Sequence, residues 1–260
     1  MSTLRWKRRL GRLRPTGFSG RRDVILIYHS IGGGALSVAE SQFLLQMQWL
    51  SEHAQVVTLD ELLGAANPGG LRVVLSFDDG YETLYSKAMP EMAHFGFPGI
   101  VYLNSGYLSG DTHRPSEPAL GHYPDEHFLL WSEADALLAA GWQVGGHGVE
   151  HLDLTTLDRE QVVNQLLRCK HDIESHLRHP CEHFAYTWGH YNTQVRQDVV
   201  AVGYRSAVAG LHGPVRTRSD RHALPRVDVR SEYGLDDFVA IVTGRWDFLR
   251  IKQSLGAWLR

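Results

Sequence analysis

Cysteine is scarce in this chain: Cys169 and Cys181 are the only two among 260 residues. They form no CxxC pair, which excludes a disulfide-rich scaffold and a cysteine-built zinc site and leaves two reduced thiols as the expectation. Long apolar runs are missing too. None approaches the roughly 18 residues of a membrane span. The basic start is not followed by the apolar stretch of a secretory signal, so a cytoplasmic location is expected. Acidic residues are absent from positions 1–22, which hold eight basic ones (Arg5, Lys7, Arg8, Arg9, Arg12, Arg14, Arg21 and Arg22). The remainder carries 18 Lys and Arg against 29 Asp and Glu, a net of −11. A basic arm on an acidic body suits either a solvated start or contact with an anionic membrane on its inner face. No aromatic–basic recognition surface accompanies the arm, so no nucleic-acid partner is expected.

What is present fits one enzyme-sized α/β domain. Apolar residues make up 43% of the chain and charged ones 21%, enough to bury a sizeable core. Strand-like runs at Val24–Tyr28, Val73–Phe77, Gly99–Leu103, Trp142–Val144, Phe184–Tyr186 and Tyr204–Val208 alternate with helical patterns. The helical patterns centre on 43–50, 84–95, 132–140, 157–177 and 193–202, with Ser132 and Asp158 as N-caps. This alternation predicts parallel strands with helices outside, as in an α/β barrel. The expected division is a basic arm at 1–22, a barrel at 23–243 and an amphipathic tail at 244–260. The tail's Trp246, Phe248, Leu249, Ile251, Leu255 and Trp258 suit docking on the domain or on a membrane interface. Residues 104–130, with three prolines, three glycines and three histidines, read as a mobile insertion or a substrate-binding loop.

Polar residues fall where strand-like runs end. His29 follows Val24–Tyr28; Asp78 and Asp79 follow Val73–Phe77; His147 follows Trp142–Val144; Thr187, Trp188 and Gly189 follow Phe184–Tyr186. In a parallel barrel all these ends open on one face, the face that carries the chemistry. One carboxylate and two imidazoles (Asp79, His147, His151) suit a three-ligand divalent-metal site that leaves room for water. Asp78 is then left over to act on that water. Gly145, Gly146 and Gly148 place the two histidines on a loop rather than on one helix face.

These motifs resemble the polysaccharide deacetylases, carbohydrate esterase family 4, with its NodB-homology domain. Leu75-Ser76-Phe77-Asp78-Asp79-Gly80, His147-Gly148-Val149-Glu150-His151 and Phe184-Ala185-Tyr186-Thr187-Trp188-Gly189 carry the likeness. Leu26-Ile27-Tyr28-His29 places the LxxH element at the first strand. That order is similar to the circularly permuted branch of poly-N-acetylglucosamine deacetylases. The resemblance implies a single-domain, distorted (β/α)7-type barrel, and it implies zinc, with cobalt, nickel or ferrous iron as alternatives, held by Asp79, His147 and His151. It implies Asp78 as general base, His29 as general acid and the backbone N–H of Trp188 at the oxyanion. The reaction is then removal of an N-acetyl group from an amino sugar in a glycan or in a nucleotide- or lipid-linked precursor. A deformylase or other amide hydrolase on a lipid-linked sugar, and a non-catalytic glycan-binding relative, are the rival readings. Two departures stand out. Thr187 replaces a usual proline and should loosen its turn. A usual arginine is missing; His183 lies near its expected place, and Arg226 with Asp228 is the candidate substitute.

Overall fold

Strands buried on both faces need continuous apolar runs, and two such runs anchor the architecture. They are β1 (Arg21–Tyr28) and β3 (Gly70–Phe77). The computed structural model describes residues 3–12 and 20–250. β1 and β3 run parallel in register, from Arg21 beside Gly70 to Tyr28 beside Phe77. From β3 the sheet continues through β4 (Ile100–Leu103), β5 (Gln143–Gly146), β6 (His183–Ala185), β7 (Ser206–His212) and β8 (Leu224–Asp228). β8 then pairs with β1, closing a seven-stranded parallel barrel. A two-residue strand, β2 (Gln55–Val56), lies beside the start of β3.

Helices fill the outside: α2 (Glu40–His53), α4 (Met89–His94), α5 (Trp131–Ala139), α6 (Arg159–Leu177), α7 (Thr193–Ala201) and α8 (Leu235–Val242). α6 starts where the Asp158 side chain accepts from the Gln161 N–H at 2.8 Å, as the N-cap reading expects. α5 is capped at Leu130, two residues ahead of the expected Ser132, and the Leu130 N–H donates to the Glu133 carboxylate at 2.9 Å.

Strand alternation divides the core in two. Leu26, Leu75, Phe77 and Phe184 face the helices, packing with Phe43, Met47 and Phe238. Ile25, Val74, Ile100, Tyr102, Ala185, Val208 and Leu224 meet inside the barrel. Leu59 and Leu62 of α3 (Leu59–Gly64) join that inner cluster and close the barrel's N-terminal mouth.

The boundary expected at 22/23 falls inside β1, and the one at 243/244 falls in the turn just after α8. Arg21 and Arg22 belong to β1. Arg22 is buried, donating to the Val242 carbonyl at 2.7 Å and pairing with Asp247 at 2.8 Å. Ahead of it, α1 (Thr3–Arg12) docks through Arg8 on Asp237 and Lys7 on the Tyr233 hydroxyl. Trp246 is buried, and Phe248 and Leu249 pack on the core. Arg14, Ile251, Leu255 and Trp258 lie outside the described residues. Both cysteines are buried free thiols. Among the described residues no helix is long and apolar enough to cross a membrane.

Candidate active site

The site starts from the way β3 ends. The Asp78 N–H still pairs with the Tyr28 carbonyl at 3.0 Å, continuing the ladder, and the alternation turns its side chain inward. Asp79 and Gly80 then take positive φ, 72° and 79°, and bend the chain sharply across the mouth. Aspartate tolerates this left-handed conformation better than most residues, at a cost of order 1–3 kcal/mol. Two consecutive carboxylates thereby occupy different places.

β5 delivers His147 beside Asp79, and the glycine-rich turn after it brings back His151, at φ 59°. The His147 Nδ1 lies 2.7 Å from the Ala185 carbonyl, and the His151 Nδ1 lies 2.7 Å from the Leu120 carbonyl. A carbonyl only accepts, so both Nδ1 atoms carry the proton and both Nε2 atoms present a lone pair. Each Nε2 is 3.5 Å from the same oxygen, Asp79 Oδ1. That oxygen is buried without a hydrogen-bond partner. Ligands around a tetrahedral cation, with bonds of about 2.0–2.2 Å, lie about 3.3–3.6 Å apart. The three side chains therefore fit a divalent cation, and the orphaned carboxylate oxygen is what such a cation would satisfy. Burial holds His147 neutral, lowering its pKa to about 4. Burial pushes Asp79 up, but His151, His29 and His147 outweigh it and bring its pKa down to about 2. Both groups are thus in their ligating forms at neutral pH.

Asp78 has a different partner. Arg226, on the inward face of β8, grips it at two points, 2.6 and 2.7 Å, and both residues are buried. The guanidinium also lies 5.8 Å over the Tyr102 ring. Burial alone would raise the Asp78 pKa; Arg226, His147 and His29 overcome it and lower it. Asp228, expected to act with Arg226, pairs instead with Arg230 at 2.7 Å. His183 is not at this end at all. It opens β6 at the barrel's opposite mouth.

His29 stands at the end of β1, its ring stacked on Tyr123 with centroids 4.9 Å apart. Trp188, at φ 60°, is half exposed; its Nε1 donates to the His151 carbonyl at 3.2 Å. A side chain at Gly121 would collide with its ring. Thr187 does not loosen the turn: it is fully buried, and its hydroxyl donates to the Leu152 carbonyl at 2.5 Å, pinning β6's end to the histidine loop. His29, Asp78, Asp79, His147, His151, Trp188 and Arg226 line a cleft of about 300 Å³, which Asp228 and Arg230 also line.

Residues 104–130 prove to be part of the site. They supply the Leu120 carbonyl that orients His151, the Tyr123 ring behind His29, and His122, whose ring lies 4.8 Å from that of His151. The sequence signals the loop through its length and histidines, but its contacts are long-range and unreadable from spacing.

A family model described as polysaccharide deacetylase matches residues 65–207 of the chain. The chain belongs to the polysaccharide deacetylase family. YxkH of Bacillus subtilis is 25% identical over 211 residues, covering 79% of this chain and 70% of that protein. A Staphylococcus aureus poly-beta-1,6-N-acetyl-D-glucosamine N-deacetylase is 20% identical over 224 residues, covering 81% of this chain and 72% of its own. The Streptococcus pyogenes deacetylase PplD, solved in complex with acetate, shares the fold with a TM-score of 0.73 at 18% identity, covering 86% of this chain and 99% of that one. This deacetylase's family match ends before β8 and begins after β1. His29 and Arg226 therefore stand outside the matched segment, and barrel closure returns them to it.

Proposed function

We propose that this deacetylase is a divalent-metal-dependent hydrolase that removes the N-acetyl group of an amino sugar in a glycan or in a nucleotide- or lipid-linked precursor. One observation carries the reading: a buried, unpartnered Asp79 oxygen faces two oriented imidazole nitrogens, beside a second carboxylate held ionised by Arg226. Asp79, His147 and His151 would hold the cation, with zinc the best match to this donor set. Such a cation supplies Lewis acidity toward the acetyl carbonyl and makes water more acidic.

The chain's own groups divide the remaining work. Asp78 takes a proton from the attacking water. Its two bonds to Arg226 fix the carboxylate's direction and keep it deprotonated before the reaction. The backbone N–H of Trp188 is the donor proposed for the oxyanion. The C–N bond breaks as His29 gives a proton to the departing amine, releasing acetate and a free amino sugar. Tyr123 holds the imidazole plane from behind. The half-exposed Trp188 ring offers an apolar wall to one sugar face. A cytoplasmic setting, with Arg5 and Arg9 exposed on α1 toward anionic lipid, belongs to the same proposal and suits a lipid-linked precursor.

The test is Asp78→Asn assayed for acetate release from N-acetylglucosamine oligomers and for bound metal. Metal content should persist while turnover falls roughly 10²–10⁴-fold. Loss of metal together with activity would sink the division of labour between the two aspartates.

A further inference from the structure

A second constellation sits at the opposite, N-terminal mouth of the barrel. Asp60 lies in the first turn of α3, Glu182 just ahead of β6, and His183 opens β6. One ligand atom from each lies within 4.8 Å of the others. The geometry repeats that of the first site: His183 Nε2 is 3.5 Å from Asp60 Oδ1. The Gln143 amide holds the other oxygen of Asp60 at 2.7 Å and accepts from the Leu59 N–H at 2.7 Å, fixing the carboxylate's direction. Strand register places Ser206 beside His183, and its hydroxyl lies 2.9 Å from Nδ1.

His183 supplies the decisive observation. The residue is 3% exposed, and its Nε2 is buried with no hydrogen-bond partner. If Nδ1 donates to Ser206, the Nε2 lone pair faces a carboxylate oxygen, acceptor against acceptor. If Ser206 donates instead, the Nε2 proton faces only Asp60 Oδ1 at 3.5 Å, too long for a well-formed hydrogen bond. Either tautomer leaves a buried polar atom unsatisfied. A cation between Nε2 and the two carboxylates satisfies all three groups. Arg205 is the competing positive charge, 2.5 Å from Glu182 Oε2 and 3.5 Å from Asp60 Oδ1. More than half of its side chain is exposed, so it is free to swing toward solvent.

We propose that Asp60, Glu182 and His183 form a second divalent-cation site, separate from the catalytic cleft, that takes a borderline transition metal such as zinc. One imidazole and two carboxylates are zinc-competent donors, and Ser206 and Gln143 are the outer groups that aim them. The site would tie α3 to β6 across the barrel's closed mouth, where stability rather than chemistry is set.

Zinc titration by calorimetry, in an Asp79→Asn/His147→Ala chain, isolates this site from the first. One zinc should bind per chain and raise Tm by roughly 3 °C or more. Asp60→Asn and Glu182→Gln should each abolish the binding. Arg205→Gln should tighten it roughly tenfold by removing the competing charge. No zinc binding, binding that survives both carboxylate substitutions, or an Arg205→Gln chain with unchanged affinity would each overturn the proposal. Should the doubly substituted chain not fold, elemental analysis of the otherwise wild-type chain decides. Asp60→Asn should then remove one zinc per chain and leave deacetylation unchanged, and a zinc content that does not fall refutes the site. Failure of the catalytic reading is distinct, because Asp78→Asn reports on it and Asp60→Asn does not.

Discussion

The two mouths of this barrel carry similar donor sets in opposite physical states. At each, an imidazole Nε2 lies 3.5 Å from an aspartate oxygen. At the C-terminal mouth both aspartates and both histidines are buried, and Asp79, His151 and Trp188 all adopt positive φ. At the N-terminal mouth Asp60 and Glu182 are substantially exposed, Arg205 pairs with both, and none of the three donor residues has positive φ. The difference teaches where the fold tolerates strain. Non-glycine residues at positive φ cost of order 1–3 kcal/mol each and persist only where their surroundings fix them. Here the fixing contacts are the Leu120 and Ala185 carbonyls, the Thr187 hydroxyl and the Gly121–Trp188 packing, and all serve the C-terminal cluster. A donor set so constrained suits chemistry. One held by a surface ion pair suits stability.

Substitutions at the two ends should separate them, most of all in turnover. His29→Ala should slow amide hydrolysis roughly 10²–10⁴-fold. Hydrolysis of an activated aryl ester, whose leaving group needs no proton, should fall far less. Arg205→Met at the other end should leave both rates within about twofold. Equal losses on amide and ester in His29→Ala would remove the acid role from His29. The next contrast is in folding stability. Arg226→Met strands the buried Asp78 carboxylate and should cost about 3–5 kcal/mol, read from the denaturant midpoint. Arg205→Met removes an exposed guanidinium and should barely move that midpoint. Comparable midpoints for the two variants would contradict the assignment of Arg226 to a buried ion pair.

Much of this contrast was legible in the sequence where a local rule governs. β1 and β3 announce themselves because strands buried on both faces must be apolar throughout, and Asp78, Asp79 and His147 were readable as strand-end residues. Three features escaped for identifiable reasons. Gly145 and Gly146 read as a turn yet form the end of β5, because a side chain there would strike the ring of Tyr102 or the hydroxyl of Tyr204. Pro225 argues against a strand, yet β8 carries it and pairs with both β7 and β1. With β8 recognised, alternation alone would have put Arg226 on the barrel's inner face. The Leu120, His122 and Tyr123 contacts depend on a loop folding back over a distant strand end, which no periodicity encodes.

The smallest contrast concerns acid. Burial lowers the pKa of His122 and of His212, beside the catalytic cleft, to about 4 in each case. At the other mouth burial also lowers that of His183, against the pull of Asp60 and Glu182. A buried neutral imidazole takes up no proton at a pH where the unfolded chain, with an ordinary histidine pKa near 6.5, already does. Unfolding therefore binds protons between about pH 6.5 and 4, and chelated protein should lose stability as pH falls through that window; below it the buried carboxylates held down by their partners, Asp79 and Asp78, continue the loss. Urea midpoints from pH 7.5 to 4.5 measure the slope, and a flat profile would contradict the buried-neutral assignment. His183→Gln should remove one histidine's share, at most about 1.4 kcal/mol per pH unit. The share is informative because the mouths differ in what surrounds the ring. If His183→Gln leaves the slope unchanged, His183 is already a cation in the fold, held by two carboxylates. The N-terminal cluster would then be an ion-pair network closed to metal, and only the strained mouth would retain a vacant lone pair.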